Sequence, residues 1–91
     1  MYQDAIIKLL GKKLATKINT KVMPSIGFIR LALKDDYGEI ETLSVEKLIY
    51  TIKNGLRKRL EAIHFENVNE IVGYLLKELI DNQSLITASN I

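Results

Sequence analysis

The chain contains no cysteine and no tryptophan, and Pro24 is its only proline. Without cysteine there is no disulfide framework, no zinc–thiolate site and no thiol nucleophile. No run of 18 apolar residues occurs, so no segment is expected to span a bilayer. The opening MYQDAIIKLLGKK places Asp4 where a secretory signal carries positive charge, and its apolar run is too short for one. A soluble, cytoplasmic protein is therefore expected. Phosphate-binding loops, a Gly-x-Ser-x-Gly elbow and a His-Glu-x-x-His pair are all missing. No catalytic residue, metal site or cofactor is assigned, and the chain is read as a non-enzyme.

What is present suits one folded domain spanning residues 1–91. Hydrophobic residues make up 47% and charged residues 26%, close to globular usage rather than to that of a disordered chain. No repeat, low-complexity tract or linker divides it. The net charge is only +2, yet the charge alternates along the chain. Residues 1–21 carry +4, residues 22–46 carry −3, residues 47–65 carry +4 and residues 66–91 carry −3. Basic and acidic elements can pair within the fold or across a dimer. Alternatively, the basic elements can lie side by side as one positive face.

Three segments carry helical periodicity. In Tyr2 to Ile18, the residues Ile6, Leu9, Leu10, Leu14 and Ile18 recur at three- and four-residue spacing. In Ser44 to Ile63, Ser44 suits the N-cap, and Leu48, Ile49, Ile52, Leu56, Leu60 and Ile63 hold one face. In Asn67 to Asn82, Asn67 and Glu70 have capping-box spacing. Residues 83–91 read as a frayed tail in which Leu85 and Ile86 are able to dock. Gly11, Gly55 and Gly73 fall inside these helices, each costing about 1 kcal/mol relative to alanine. Close helix–helix contact is one reason for them and simple tolerance is the other.

Ile26 to Val45 is ambiguous. Ile29, Leu31 and Leu33 alternate with Arg30, Ala32 and Lys34, and Asp35–Gly38 supplies turn formers. A β-hairpin is the preferred reading, with a short polar second strand from Glu39 to Leu43. A helix from Pro24 to Asp36 capped by Gly38 is the alternative. The expected fold is thus α+β, ordered α-β-β-α-α with a β-hairpin and three amphipathic helices; the alternative is all-α.

The basic run in KNGLRKRLEAIHFENVNE raises the question of nucleic acid. At about 100° per residue, Lys53, Arg57, Lys58 and Arg59 spread round the helix and form no stripe. Arg59 falls in the apolar arc, where its stem can pack and its head can pair with an acid. A solvated helix face is therefore preferred. The nucleic-acid alternative would use Lys12, Lys13, Arg57 and Lys58. Leu60 to Leu79 resembles the second half of ribbon-helix-helix DNA-binding proteins. Phe65, Asn67, Asn69, Glu70 and Val72 fit that outline, while His64 stands where the family has glycine. The resemblance implies a dimeric DNA binder. The long preceding helix and the acids Glu39 and Glu41 in the strand position depart from it, and the chain is not placed in that family.

His64, the only histidine, reads as a capping or packing residue at a helix junction. Asp35, Asp36, Glu39 and Glu41 read as a solvated turn without calcium-loop spacing. Three broad apolar helix faces are a large hydrophobic surface for this length. Self-association through Val68, Ile71, Val72, Leu75, Leu76 and Leu79 is the expected remedy. The function expected is that of a small regulatory or adaptor protein acting by binding, as a homodimer and through an apolar helix face. A protein partner is preferred, with a dimeric nucleic-acid-binding regulator as the alternative and no membrane partner.

Overall fold

The computed structural model describes residues 4–39 and 42–89, and they are helical throughout apart from short connections. Helix α1 is Asp4–Ile18 and α2 is Val22–Tyr37. Helix α3 runs over residues 45–62 and contains a π-helical turn at Ile52–Leu56. Helix α4 is Val68–Asp81, and the short α5 is Ser84–Ser89.

No strand is present among the described residues, so the α+β hairpin reading is overturned and the all-α alternative fits. The deciding positions are Leu31 and Ala32. Strand alternation would turn Leu31 inward and Ala32 outward. Instead Ala32 is fully buried and Leu31 is 49% exposed. The buried set of α2, Ser25, Ile26, Ile29, Ala32 and Leu33, recurs at helical spacing. Pro24 sits in the first turn, where its missing N–H is harmless. Gly38 ends the helix at φ +70°, and its N–H reaches the Lys34 carbonyl at 2.8 Å. Ile40 and Glu41, in the proposed second strand, lie outside the described residues. The ribbon that the DNA-binding resemblance implies is likewise not found among the described residues.

Helices α1 and α2 form the most extensive pair, joined by the short turn at residues 19–21. They approach each other closely at Gly11. A methyl group there would run into Ile26, whose backbone nitrogen would lie 3.1 Å away. A second close approach joins α2 to the π turn of α3. A Cβ on Gly55 would lie 2.8 Å from the Ala32 carbonyl and 2.6 Å from the Asp36 carboxylate. Gly73 differs, with nothing within 4 Å of its missing Cβ.

The π turn has a reason in the sequence. Leu48, Ile52, Leu56 and Leu60 are all buried and follow at strict intervals of four. In an α-helix each such interval drifts by about 40°, so the four residues would spiral off one face by about 120°. A π turn widens the helix locally and brings Leu56 and Leu60 back to the core. The Asp36 carboxylate secures this turn, accepting from Asn54 Nδ2 at 2.6 Å and from the Gly55 N–H at 3.1 Å.

Ser44 caps α3 as expected, accepting the Lys47 N–H at 3.2 Å. Asn67 does not form the expected capping box with Glu70. Its backbone is left-handed at φ +60°, and its side chain makes no cap bond. Helix α4 packs against α1 and α3. The segment read as a tail forms α5 against α1, with Ile86 buried in the core.

Candidate binding groove at the helix turns

The α1–α2 turn and the α3–α4 loop meet at one end of the molecule. Helix α1 closes on Asn19, which takes φ +54°, while the Thr20 N–H bonds the Ala15 carbonyl at 3.0 Å. Helix α3 closes in the same manner. His64 takes φ +59°, and the Phe65 N–H returns to the Leu60 carbonyl at 3.1 Å. These six-residue back-bonds are Schellman closures, normally built on glycine. His64 therefore works as a helix cap, and its imidazole stays exposed. Left-handed backbone costs a non-glycine residue roughly 1–2 kcal/mol. Asn19, His64 and Asn67 are the three described non-glycine residues that accept it. All three border clefts at this end of the bundle.

A groove of about 350 Å³ lies between the turns, lined by Ile18, Pro24, Phe28, Ile63 and Phe65 together with Asn19, Thr20 and Ser25. Ile63 on its wall is 53% exposed. Val22 and Met23, in the first turn of α2, are also exposed but do not line it. A second cleft of about 560 Å³ adjoins Ile63 and Phe65 and is bordered by Lys17, Glu66 and Glu70. Arg57, Glu61 and His64 border a wider one of about 890 Å³. The Lys17 ammonium lies 4.3 Å from the Tyr74 ring centre, fixing one edge of this surface by cation–π attraction.

Sequence reasoning missed this groove. Asn19, Thr20 and Ser25 of its lining fall outside the three segments with helical periodicity. Ile63 was counted on the inner face of α3, whereas it follows the last helical residue and turns outward. The available signal was the pair of helix ends, each flanked by large apolar residues.

The proposed nucleic-acid contacts do not come together as one set. Lys12 and Lys58 are exposed. Lys13 pairs with Glu78 at 3.3 Å, and Arg57 donates to Asn69 and to the Lys53 carbonyl. Asn69 and Glu78 are separated by about 13 Å along α4 and by about 180° around it. Arg57 and Lys13 thus flank α4 on opposite sides and at opposite ends. Arg59 places its guanidinium on Asp35 at 2.6 Å and 3.0 Å. These bonds hold the Asp35 carboxyl below its ordinary value and push Arg59 up. The acidic segment is therefore more than a solvated turn: Asp35 anchors Arg59 and Asp36 anchors the π turn.

Of the proposed interface, Ile71, Val72, Leu75 and Leu79 are buried in the chain's own core. Val68 and Leu76 pack against that core and remain half-buried. The apolar arc that suggested a dimer is thus largely covered by α1 and α3. Among the described residues no three His, Cys, Asp or Glu side chains converge in a metal-holding group. No helix of the described residues is long and apolar enough to cross a membrane. Comparison with known protein families, with curated proteins and with solved structures finds no match.

Proposed function

We propose that this chain is a small, non-enzymatic regulatory or adaptor module whose partner is a protein segment docking in the Ile18–Phe28–Ile63–Phe65 groove. The observation carrying this reading is the exposure of Ile63 on the wall of a groove that it shares with Ile18, Pro24, Phe28 and Phe65. Apolar surface left in water forgoes about 25 cal/mol for each Å² that could be buried, so such a patch marks a place of contact. The groove suits a single aromatic or branched aliphatic anchor presented by a loop or helix. A cytoplasmic setting belongs to the same reading. A polyanion face fits less well, because Lys13 and Arg57 are engaged within the fold on opposite sides of α4.

A displayed peptide library selected on the purified protein tests this. Enriched peptides should share an aromatic or aliphatic anchor. Their affinity should fall at least about tenfold on Ile63→Glu or Ile63→Lys, in keeping with loss of a contact centre. Peptides that bind both variants as well as wild type would remove the groove from the account. Tight, steeply salt-dependent binding of an oligonucleotide, lost on Arg57→Gln with Lys58→Gln, would favour the polyanion alternative.

A further inference from the structure

Helix α4 keeps an outer face that the groove does not use. Two of the four helix-interior glycines have a neighbour that requires them: Gly11 meets Ile26, and Gly55 meets Ala32 and Asp36. Gly73, like Gly27 in α2, has none, although glycine in mid-helix is less favourable than alanine; what distinguishes Gly73 is the pair of opposite charges around it. Around it, Leu76 is half-buried, Ile80 is 45% exposed, and Glu70 and Lys77 are exposed.

The placement of those two charges is self-complementary. Glu70 and Lys77 lie about two turns apart on the same side of α4, within about 20° of each other around the axis. Gly73 sits close to midway between them along the axis, about 40–60° round from their line on the exposed side of the helix. A two-fold axis beside Gly73 would set two α4 helices antiparallel. Glu70 of each copy would then face Lys77 of the other, giving two equivalent ion pairs. The missing side chains at Gly73 would let the backbones approach at the crossing point, with Leu76 and Ile80 flanking it. Such an isologous contact satisfies both charges with a single arrangement.

We infer that the outer face of α4, centred on Gly73 and bracketed by Glu70 and Lys77, is a self-association surface for a second copy of this chain. It is distinct from the buried arc of Ile71, Val72, Leu75 and Leu79, and it leaves the Ile63 groove open to another partner. Being small, it supports a reversible dimer rather than an obligate one.

Light scattering and sedimentation over a range of concentrations test the inference. The mass should rise from the 10.4 kDa monomer towards twice that value as concentration increases. Glu70→Lys and Lys77→Glu should each weaken association by about tenfold or more, since each sets like charges face to face twice. The double variant Glu70→Lys/Lys77→Glu should restore it. Gly73→Ala should weaken association while raising the melting temperature of the dilute monomer, a pairing of effects that general damage to the fold would not give. Circular dichroism confirms that each variant is folded. A monomer mass at every concentration, association indifferent to the single charge reversals, or no recovery in the double variant would each overturn the inference.

Discussion

Gly55→Ala should destabilise the protein even though alanine is the better helix former. The new Cβ would stand 2.6 Å from Asp36 Oδ2 and 2.8 Å from the Ala32 carbonyl oxygen. The second neighbour is backbone in the middle of α2, so it cannot swing aside as a side chain would. Overpacking of this kind costs about 1–3 kcal/mol. Displacing Asp36 also weakens its bonds to the Gly55 N–H and to Asn54, and a hydrogen bond to a charged group contributes about 1.5–3 kcal/mol. The gain in helix propensity offsets about 1 kcal/mol. The net loss is therefore about 2–5 kcal/mol, a large part of the roughly 5–14 kcal/mol a chain of this length possesses. At about 4–8 °C per kcal/mol, the melting temperature should drop by at least about 8 °C. Thermal denaturation followed by circular dichroism reads this directly. In an Asp36→Ala background the same substitution should cost less, because only the Ala32 carbonyl still opposes it. An unchanged or higher melting temperature for Gly55→Ala would refute the α2–α3 contact as described.

Three further outcomes follow from other sites. Thr51 is buried and its hydroxyl has no hydrogen-bond partner among the described residues; Thr51→Val keeps the shape and removes a donor worth about 1–3 kcal/mol when unsatisfied, so melting should rise by several degrees, and a fall would reveal a partner for the hydroxyl. Gly38 stands at φ +70°, so Gly38→Val should lower stability by about 1–2 kcal/mol in urea titration, whereas an unchanged midpoint would argue for a different backbone at the end of α2. The bonds from Arg59 depress the Asp35 carboxyl below 3.8, so its contribution is fully present above that pH and is lost as pH falls through the lowered value. The melting difference between wild type and Arg59→Gln should accordingly shrink in that acid range, and a difference constant down to about pH 2 would separate Arg59 from Asp35.

Much of the architecture was legible because its determinants are large apolar side chains. Ile6, Leu10 and Leu14 disclose α1, and Ile71, Val72, Leu75 and Leu79 disclose α4, by spacing alone. Helix α2 was misread because its deciding residues are small. Ile29 and Leu33 lie four apart and suit a strand as well as a helix. The choice rests on Ala32, which hydropathy scarcely weighs and whose burial depends on Gly55, far along the chain. The π turn misled the projection of α3 as well. One residue fitted into a helix rotates everything beyond it by about 100° relative to a regular α-helix, so angles assigned past Leu56 shift. The four-residue intervals from Leu48 to Leu60 were the available sign. The groove was illegible for another reason. It is assembled from the ends of three helices, and helix ends escape any argument from periodicity.

Helix α2 bears on every part of this account, since it carries Pro24 and Phe28 into the groove and Ala32 and Asp36 onto the π turn. Backbone chemical shifts of residues 22–38 in solution test it most directly. The structure predicts an unbroken series of helical Cα shifts from Val22 to Tyr37, with the change of sign only at Gly38. Strand-like shifts from Ile29 to Leu33, followed by turn values at Asp35–Gly38, would contradict it and restore the hairpin.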